Sequence, residues 1–392
     1  MGKQVKTPRF YVDIPTFLHA TGDLDWGISQ TGGIKLLYMN PSNPYTRPDA
    51  PDDNWLFRIG DFEREPKTSF PINFVALLNH NLASDENGFA IKSKTKNFTG
   101  NDEWPTLTSS DNYKDNILNA NRSGEELSLA YNGTTIFELN NPNNELDEYW
   151  YFFGIEYTDD DNSSETTDFD STVKHQLGSF VVGKYWDAPN SPDLSLTMSR
   201  RFDGIKKQKT IGGKTLANIY YDGPTEWIMN HPNNGPYKYP PFELDGPNNI
   251  TNETLFNERA KSGLGRKGLR SWNLTFSYIS EDNMWMDNEV SSKLTGDSIN
   301  DDIYGGNPTG GDDPNPMLTD DSFNFVWNCT LGGTLPFIFQ PNAPQYDSAG
   351  VMTQGDNSPD QFSICTFRQN TLSVKQVAYN TYTLSITIDE VA

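Results

Sequence analysis

The stretch Leu177–Trp186, LGSFVVGKYW, lies near the middle of the chain and constrains the fold more than any other. Its apolar run, Phe180–Val182, is held between Gly178 and Gly183. The aromatic pair Tyr185-Trp186 comes next, and then a Pro-broken exit, DAPNSPD. A short apolar run framed by turn residues predicts a strand that closes one domain and hands over to a linker. The residues before it read as one β-rich unit and those after it as a second.

The chain has 392 residues, enough for two domains that each bury a core. With 31 Gly and 25 Pro, turns are frequent and long helices are disfavoured. Hydrophobic residues make up only 35%, but 13% are aromatic, so large rings supply buried area that aliphatics do not. The fold class expected is all-β: two antiparallel β-sandwich or barrel-like domains with long loops and little helix, divided as residues 1–190 and 191–392.

In the first half, strands are expected at Arg9–Ile14, Ile34–Met39, Trp55–Ile59, Phe89–Ile91 and Ile136–Leu139. The run Phe74–Leu78, FVALL, is continuously apolar and predicts a strand covered on both faces. Tyr149–Tyr157, YWYFFGIEY, is the densest aromatic cluster and reads as a central strand. Leu177–Val182 closes the set.

In the second half, Leu194–Met198 alternates and predicts a half-buried strand. Leu216–Tyr221, Phe323–Trp327, Leu335–Phe339, Phe362–Phe367, Leu372–Val377 and Tyr382–Ile388 read as further strands, and Glu253–Lys261 as a short helix. Arg270–Ile279, RSWNLTFSYI, alternates most clearly, with Trp272, Leu274, Phe276 and Tyr278 expected on one face.

The net charge of −23 disfavours a general nucleic-acid or anionic-membrane surface, since neutralising phosphates needs clustered cations. Against that background Arg200, Arg201, Lys206, Lys207, Lys209 and Lys214 form a basic island. It reads as a hairpin rim, or as a surface that meets an acidic neighbour, such as another copy of the chain. No run approaches the roughly 18 apolar residues of a membrane helix, and the N-terminal MGKQVKTPRFYVDIP has no apolar core of a secretion signal. Cys329 and Cys365 make no disulfide framework and read as two small buried hydrophobes.

The apparent chemical motifs fail on context. Gly263–Gly268 matches G-x-G-x-x-G but lacks the strand before and the helix after that bring a helix N-terminus to a pyrophosphate. Gly213-Lys214-Thr215 would need a glycine at Gln208 to form a phosphate loop. His19, His80, His175 and His231 are far apart, so no metal pair forms in sequence, and no Ser or Cys has a general-base partner in a recognisable frame. The acidic stretch Thr158–Asp170 reads as a solvated loop, with calcium as the alternative, although its spacing departs from the calcium-loop pattern. No catalytic residue, cofactor or metal is expected. The candidate sugar contacts are His80 and Asn81, in the polar turn after the FVALL strand, with Trp104 and Tyr113 in the next loop. Trp26, Trp227 and Trp285 also fall in loop-like stretches, where a ring pins a loop, enters a subunit interface or stacks on a sugar face. Trp272 joins the basic island as a candidate inter-subunit contact.

The run FVALLNHNL (Phe74–Leu82), together with YWYFFGIEY and LGSFVVGKYWDAPNSPD further along, resembles the N-terminal domain of certain minor tail or tail-tip proteins of tailed bacteriophages. That domain is similar to discoidin-type, galactose-binding-like jelly rolls. Arg270-Ser271-Trp272, Gly332-Gly333 and Leu335–Phe339 resemble the β-domain of the same proteins. The polar insertions at 93–128 and 223–268 depart from the pattern. The resemblance implies a non-enzymatic structural component of a virion, made in the host cytoplasm. It would sit in the tail as a homo-oligomeric ring against other virion proteins. Its rivals are a glycan-binding module for host attachment and, more weakly, a capsid decoration protein or a glycan-cleaving enzyme.

Overall fold

The computed structural model describes residues 5–21, 26–28, 33–41, 45–46, 55–59, 73–78, 87–94, 117–119, 134–139, 150–157, 176–201, 205–219, 269–286, 321–346, 352–355 and 361–391. In chain order the first-half strands are β1 (Arg9–Asp13), β2 (Trp26–Ile28), β3 (Tyr45–Thr46), β4 (Trp55–Ile59), β5 (Phe74–Leu78), β6 (Asn87–Lys94), β7 (Ile117–Asn119), β8 (Thr134–Leu139), β9 (Trp150–Tyr157), β10 (Gln176–Leu177) and β11 (Ser179–Asp187). The second half adds β12 (Thr197–Arg201), β13 (Ile205–Lys209), β14 (Thr215–Ile219), β15 (Leu269–Ser280), β16 (Phe337–Gln340), β17 (Gln345–Tyr346), β18 (Met352–Gln354), β19 (Ser363–Phe367), β20 (Val374–Ala378) and β21 (Thr381–Glu390). Helices α1 (Ile14–Thr21), α2 (Glu281–Met284) and α3 (Phe323–Cys329) accompany them, with a 3-10 turn at Gly33–Leu36. Half of the described residues are in strands and 15% in helices, so the fold is all-β.

One antiparallel sheet organises both halves. Its order is β12-β15-β21-β19-β16-β1-β11-β5-β8-β7, with β20 also on β21. Strand β1 pairs with β11 on one edge and with β16 on the other, so this sheet runs through the expected border at 190. Strands β2, β4, β9 and β6 form a separate four-stranded sheet in which the aromatic β9 is internal. The run expected to close the first domain is thus a central strand: β11 lies between β1 and β5.

Sequence pattern sorts the strands of the main sheet by depth. All five residues of β5 are buried, as a continuous apolar run requires. Its alternate residues enter different cores. Val75 and Leu77 join Phe10, Val12, Phe180, Val182, Phe337 and Phe339 on one face. Phe74, Ala76 and Leu78 join Tyr11, Val181 and Ile338 on the other. The outer strands β15 and β21 alternate instead: Trp272, Leu274 and Phe276, with Leu384, Ile386 and Ile388, are buried on one face. Phe10 is a hub of the first core, with ring centroids 5.2 Å from Phe339, 5.6 Å from Phe337 and 5.7 Å from Trp186. Cys329 and Cys365 are buried, with no disulfide between them.

Several expected strands have a different form. Phe323–Trp327 lies in helix α3, because Phe323, Val326 and Cys329 all turn into the first core at helical spacing. Ile34–Met39 is a 3-10 turn that runs into Tyr38 and Met39 at positive φ. Strand β1 stops at Asp13, whose carboxylate accepts hydrogen bonds from the hydroxyl and backbone N–H of Thr16 and so caps α1. The strand expected at Leu194–Met198 begins only at Thr197, and β12 is exposed throughout. Tyr278 departs from the face of Trp272, Leu274 and Phe276: the pairing register shifts between Phe276 and Ile279, so Ile279 is buried and Tyr278 is 75% exposed.

Candidate assembly surface

The basic island is built on three consecutive strands. Strand β12 forms an edge of the main sheet, pairing Arg200 with Arg270 and Arg201 with Leu269 of β15. Strands β13 and β14 then form a separate two-stranded hairpin, registered from Ile205 opposite Ile219 to Lys209 opposite Thr215. Thr210 closes its tip: its backbone N–H donates to the Lys214 carbonyl at 2.8 Å, and its Oγ1 accepts from the Lys214 N–H at 3.0 Å. Gly213 takes φ +80° there, a conformation that favours glycine.

Every residue from Lys206 to Ala217 is exposed. The tip residue Ile211 is fully open, and Leu216 is 50% exposed. The hairpin sequence, IKKQKTIGGKTLANI, carries four lysines and no carboxylate. A two-stranded hairpin by itself is marginal in water, because it has no third strand or covering face to bury side chains. Lys207 and Lys209, two apart on one strand, share a face, and their like charges repel. An anionic surface laid against the hairpin would relieve both problems.

Arg200 and Arg201 on the sheet edge, and Lys206, Lys207, Lys209 and Lys214 on the hairpin that begins at Ile205, are all exposed. Arg201 helps hold the Asp389 carboxyl below its ordinary value, after the larger effect of the hydrogen bond from Arg368. Trp272 does not belong with them. It is 1% exposed and packs edge-on against Phe339 at 5.1 Å, so it is a core residue and not an inter-subunit contact. Trp285 is half-buried, and its ring stands 6.1 Å from Tyr382 in a T-shaped contact that pins the chain after α2. His80, Asn81, Trp104 and Tyr113 lie outside the described residues, as do Glu253–Lys261 and the acidic stretch Thr158–Asp170.

A second polar cluster escapes sequence reasoning. Arg9, only 5% exposed, donates to Asp187 at 2.5 and 2.7 Å and to Glu138 at 2.5 Å. Its guanidinium also stands 3.9 Å from the centre of the Tyr185 ring. The Tyr11 hydroxyl donates to Glu138 at 2.9 Å and lies 2.9 Å from Gln340 Oε1. Burial, and then the Glu138 charge, push that hydroxyl well above its ordinary pKa. The cluster ties β1, β8, β11 and β16 together in the interior, a structural use of charge. Among the described residues no group of three His, Cys, Asp or Glu side chains is placed to hold a metal. No helix of the described residues is long and apolar enough to cross a membrane.

No family model, curated protein or solved structure matches the chain.

Proposed function

We propose that this chain is a structural component of a tailed-phage virion, in the tail or its tip. It works by assembling with copies of itself and with neighbouring tail proteins. The observation that carries the assembly role is the hairpin Ile205–Ile219: four lysines, no carboxylate and an apolar tip, exposed from Lys206 to Ala217 on a chain of net charge −23. Four exposed lysines on one hairpin of an otherwise acidic chain supply the charge complement of an acidic protein surface, such as that of another copy.

The placement in a tail rests on the resemblance of FVALLNHNL, YWYFFGIEY and LGSFVVGKYW to minor tail proteins. The strand-forming parts of all three quoted runs lie in strands β5, β9 and β11, internal to antiparallel sheets. Peptide mass spectrometry of purified particles from a host producing this chain tests the reading. A fixed copy ratio to the other tail proteins is expected. Particles complete and infective without the chain would overturn it.

A further inference from the structure

Strand β15 carries two unlike surfaces at its two ends. At its Leu269 end it pairs with Arg200 and Arg201 of β12, and shortly after Arg201 the lysine hairpin begins. At its Ser280 end the register shift turns Tyr278 outward, 75% exposed and at φ +65°, a conformation unfavourable for a bulky side chain. Beside it the β20–β21 turn presents Tyr379, 90% exposed, and Val377, 45% exposed. The Glu281 N–H donates to the Asn380 carbonyl at 3.2 Å, which fixes the start of α2 against that turn. Glu281 and Asp282 are both exposed there, while Lys375 lies farther back along β20. Twelve residues of strand put roughly 35 Å between the two ends.

One end is thus cationic with an apolar tip, and the other is aromatic with an acidic rim. Both stay exposed within a single chain, so neither covers the other in the same copy. We propose that copies of this chain join head to tail, the Lys207–Lys214 hairpin of one docking on the Tyr278–Tyr379 end of the next. The tip residue Ile211 meets the two tyrosines, and Lys207 and Lys209, which share one face of the hairpin opposite that of Leu216, meet Glu281 and Asp282. Exposed tyrosines suit the centre of such a contact, because they bury much area for little lost rotamer freedom. A contact between two different surfaces repeats from copy to copy and closes into a ring where the rotation allows. This deepens the assembly reading and rests on it.

Sedimentation of the purified full chain at low salt tests the proposal, using charge reversals at exposed positions. One variant carries Lys207→Glu, Lys209→Glu and Lys214→Glu; the other carries Glu281→Lys and Asp282→Lys. The wild type is expected to form oligomers, and each variant alone to associate at least tenfold more weakly with an unchanged thermal melt. An equimolar mixture of the two is expected to regain oligomers, because each reversed surface then finds its complement. A mixture that stays monomeric, a variant that assembles like the wild type, or a monomeric wild type would overturn the head-to-tail contact. Counting the chain in particles separates the two readings: a monomer that is still incorporated sinks this contact alone, whereas oligomers absent from particles sink the tail assignment alone.

Discussion

Gly183 faces Asp13 across the β1–β11 ladder, so close to the neighbouring strand that a Cβ on it would stand 2.1 Å from the Val12 carbonyl oxygen. Its backbone needs no special φ; space alone demands glycine. The obstacle is main chain, which cannot swing aside as a flexible side chain would. Gly183→Ala is therefore expected to destabilise the fold by about 3 kcal/mol or more, at or beyond the upper end of ordinary overpacking. Gly212→Ala in the hairpin turn, with nothing within 4 Å, is the matched control and is expected to change stability by less than ~0.5 kcal/mol. Urea unfolding of both variants measures the difference.

Asp13 itself makes stability depend on pH. Burial raises its pKa from 3.8 to about 7, against hydrogen bonds from Thr16 that pull it down. Between those values the folded chain holds a proton that the unfolded chain has released. Its contribution is therefore fully present below about pH 4 and is lost as pH rises toward about 7. The loss is on the order of 4 kcal/mol across the window, from ~1.4 kcal/mol per pKa unit. Asp13→Asn keeps a side-chain oxygen for the α1 cap and cannot titrate. The wild-type-minus-variant stability is expected to fall with rising pH from about 4 to about 7 and to be flat above.

Two arginine–carboxylate arrangements differ in depth and should differ in worth. Arg9 is buried beside Glu138 and Tyr11, so Arg9→Met strands a buried carboxylate and is expected to cost about 3–5 kcal/mol. Arg368 is 60% exposed and pairs with Asp389 at 2.6 Å, so Arg368→Ala is expected to cost under ~1 kcal/mol. The Arg368 hydrogen bond holds the Asp389 carboxyl below its ordinary value, and its contribution is present above about pH 4. The difference between wild type and Arg368→Ala should vanish as pH falls through the depressed pKa, which thermal melts at several pH values will track.

Exposed cations meeting an acidic surface are screened by salt. Self-association of the full chain is therefore expected to weaken at least tenfold from low to high ionic strength, by light scattering. Thermal stability of the monomer should change little over the same range, because Arg9 and Glu138 are shielded from solvent. Association that strengthens with salt would instead indicate an apolar contact that owes nothing to the lysines.

The centre of the fold is more legible in the sequence than its periphery. FVALL is readable as doubly buried because an uninterrupted apolar run of strand length has few other homes. The alternation of Leu384, Ile386 and Ile388 likewise identifies β21. Phe323–Trp327 misleads because a seven-residue helix offers too few turns to separate period 3.6 from period 2. Helix α1 is signalled by Asp13 and Pro15 at its start, but the preceding apolar residues draw the strand reading one residue too far. The bulge that exposes Tyr278 depends on cross-strand register, which no local pattern records. The lysines are legible as a surface because a dense run of ammonium groups is too costly to desolvate together. Trp272 is not, since alternation fixes a face but not which face is covered. Arg9 stands 129 residues from Glu138 and 178 from Asp187 in the chain, so that cluster exists only after folding.

An electron-microscopy map of assembled particles that contain the chain shows whether the hairpin is an interface. The hairpin Ile205–Ile219 is expected to lie buried against a neighbouring subunit, with its lysines facing acidic side chains. A map in which the chain is present and the hairpin projects into solvent on every copy would contradict it.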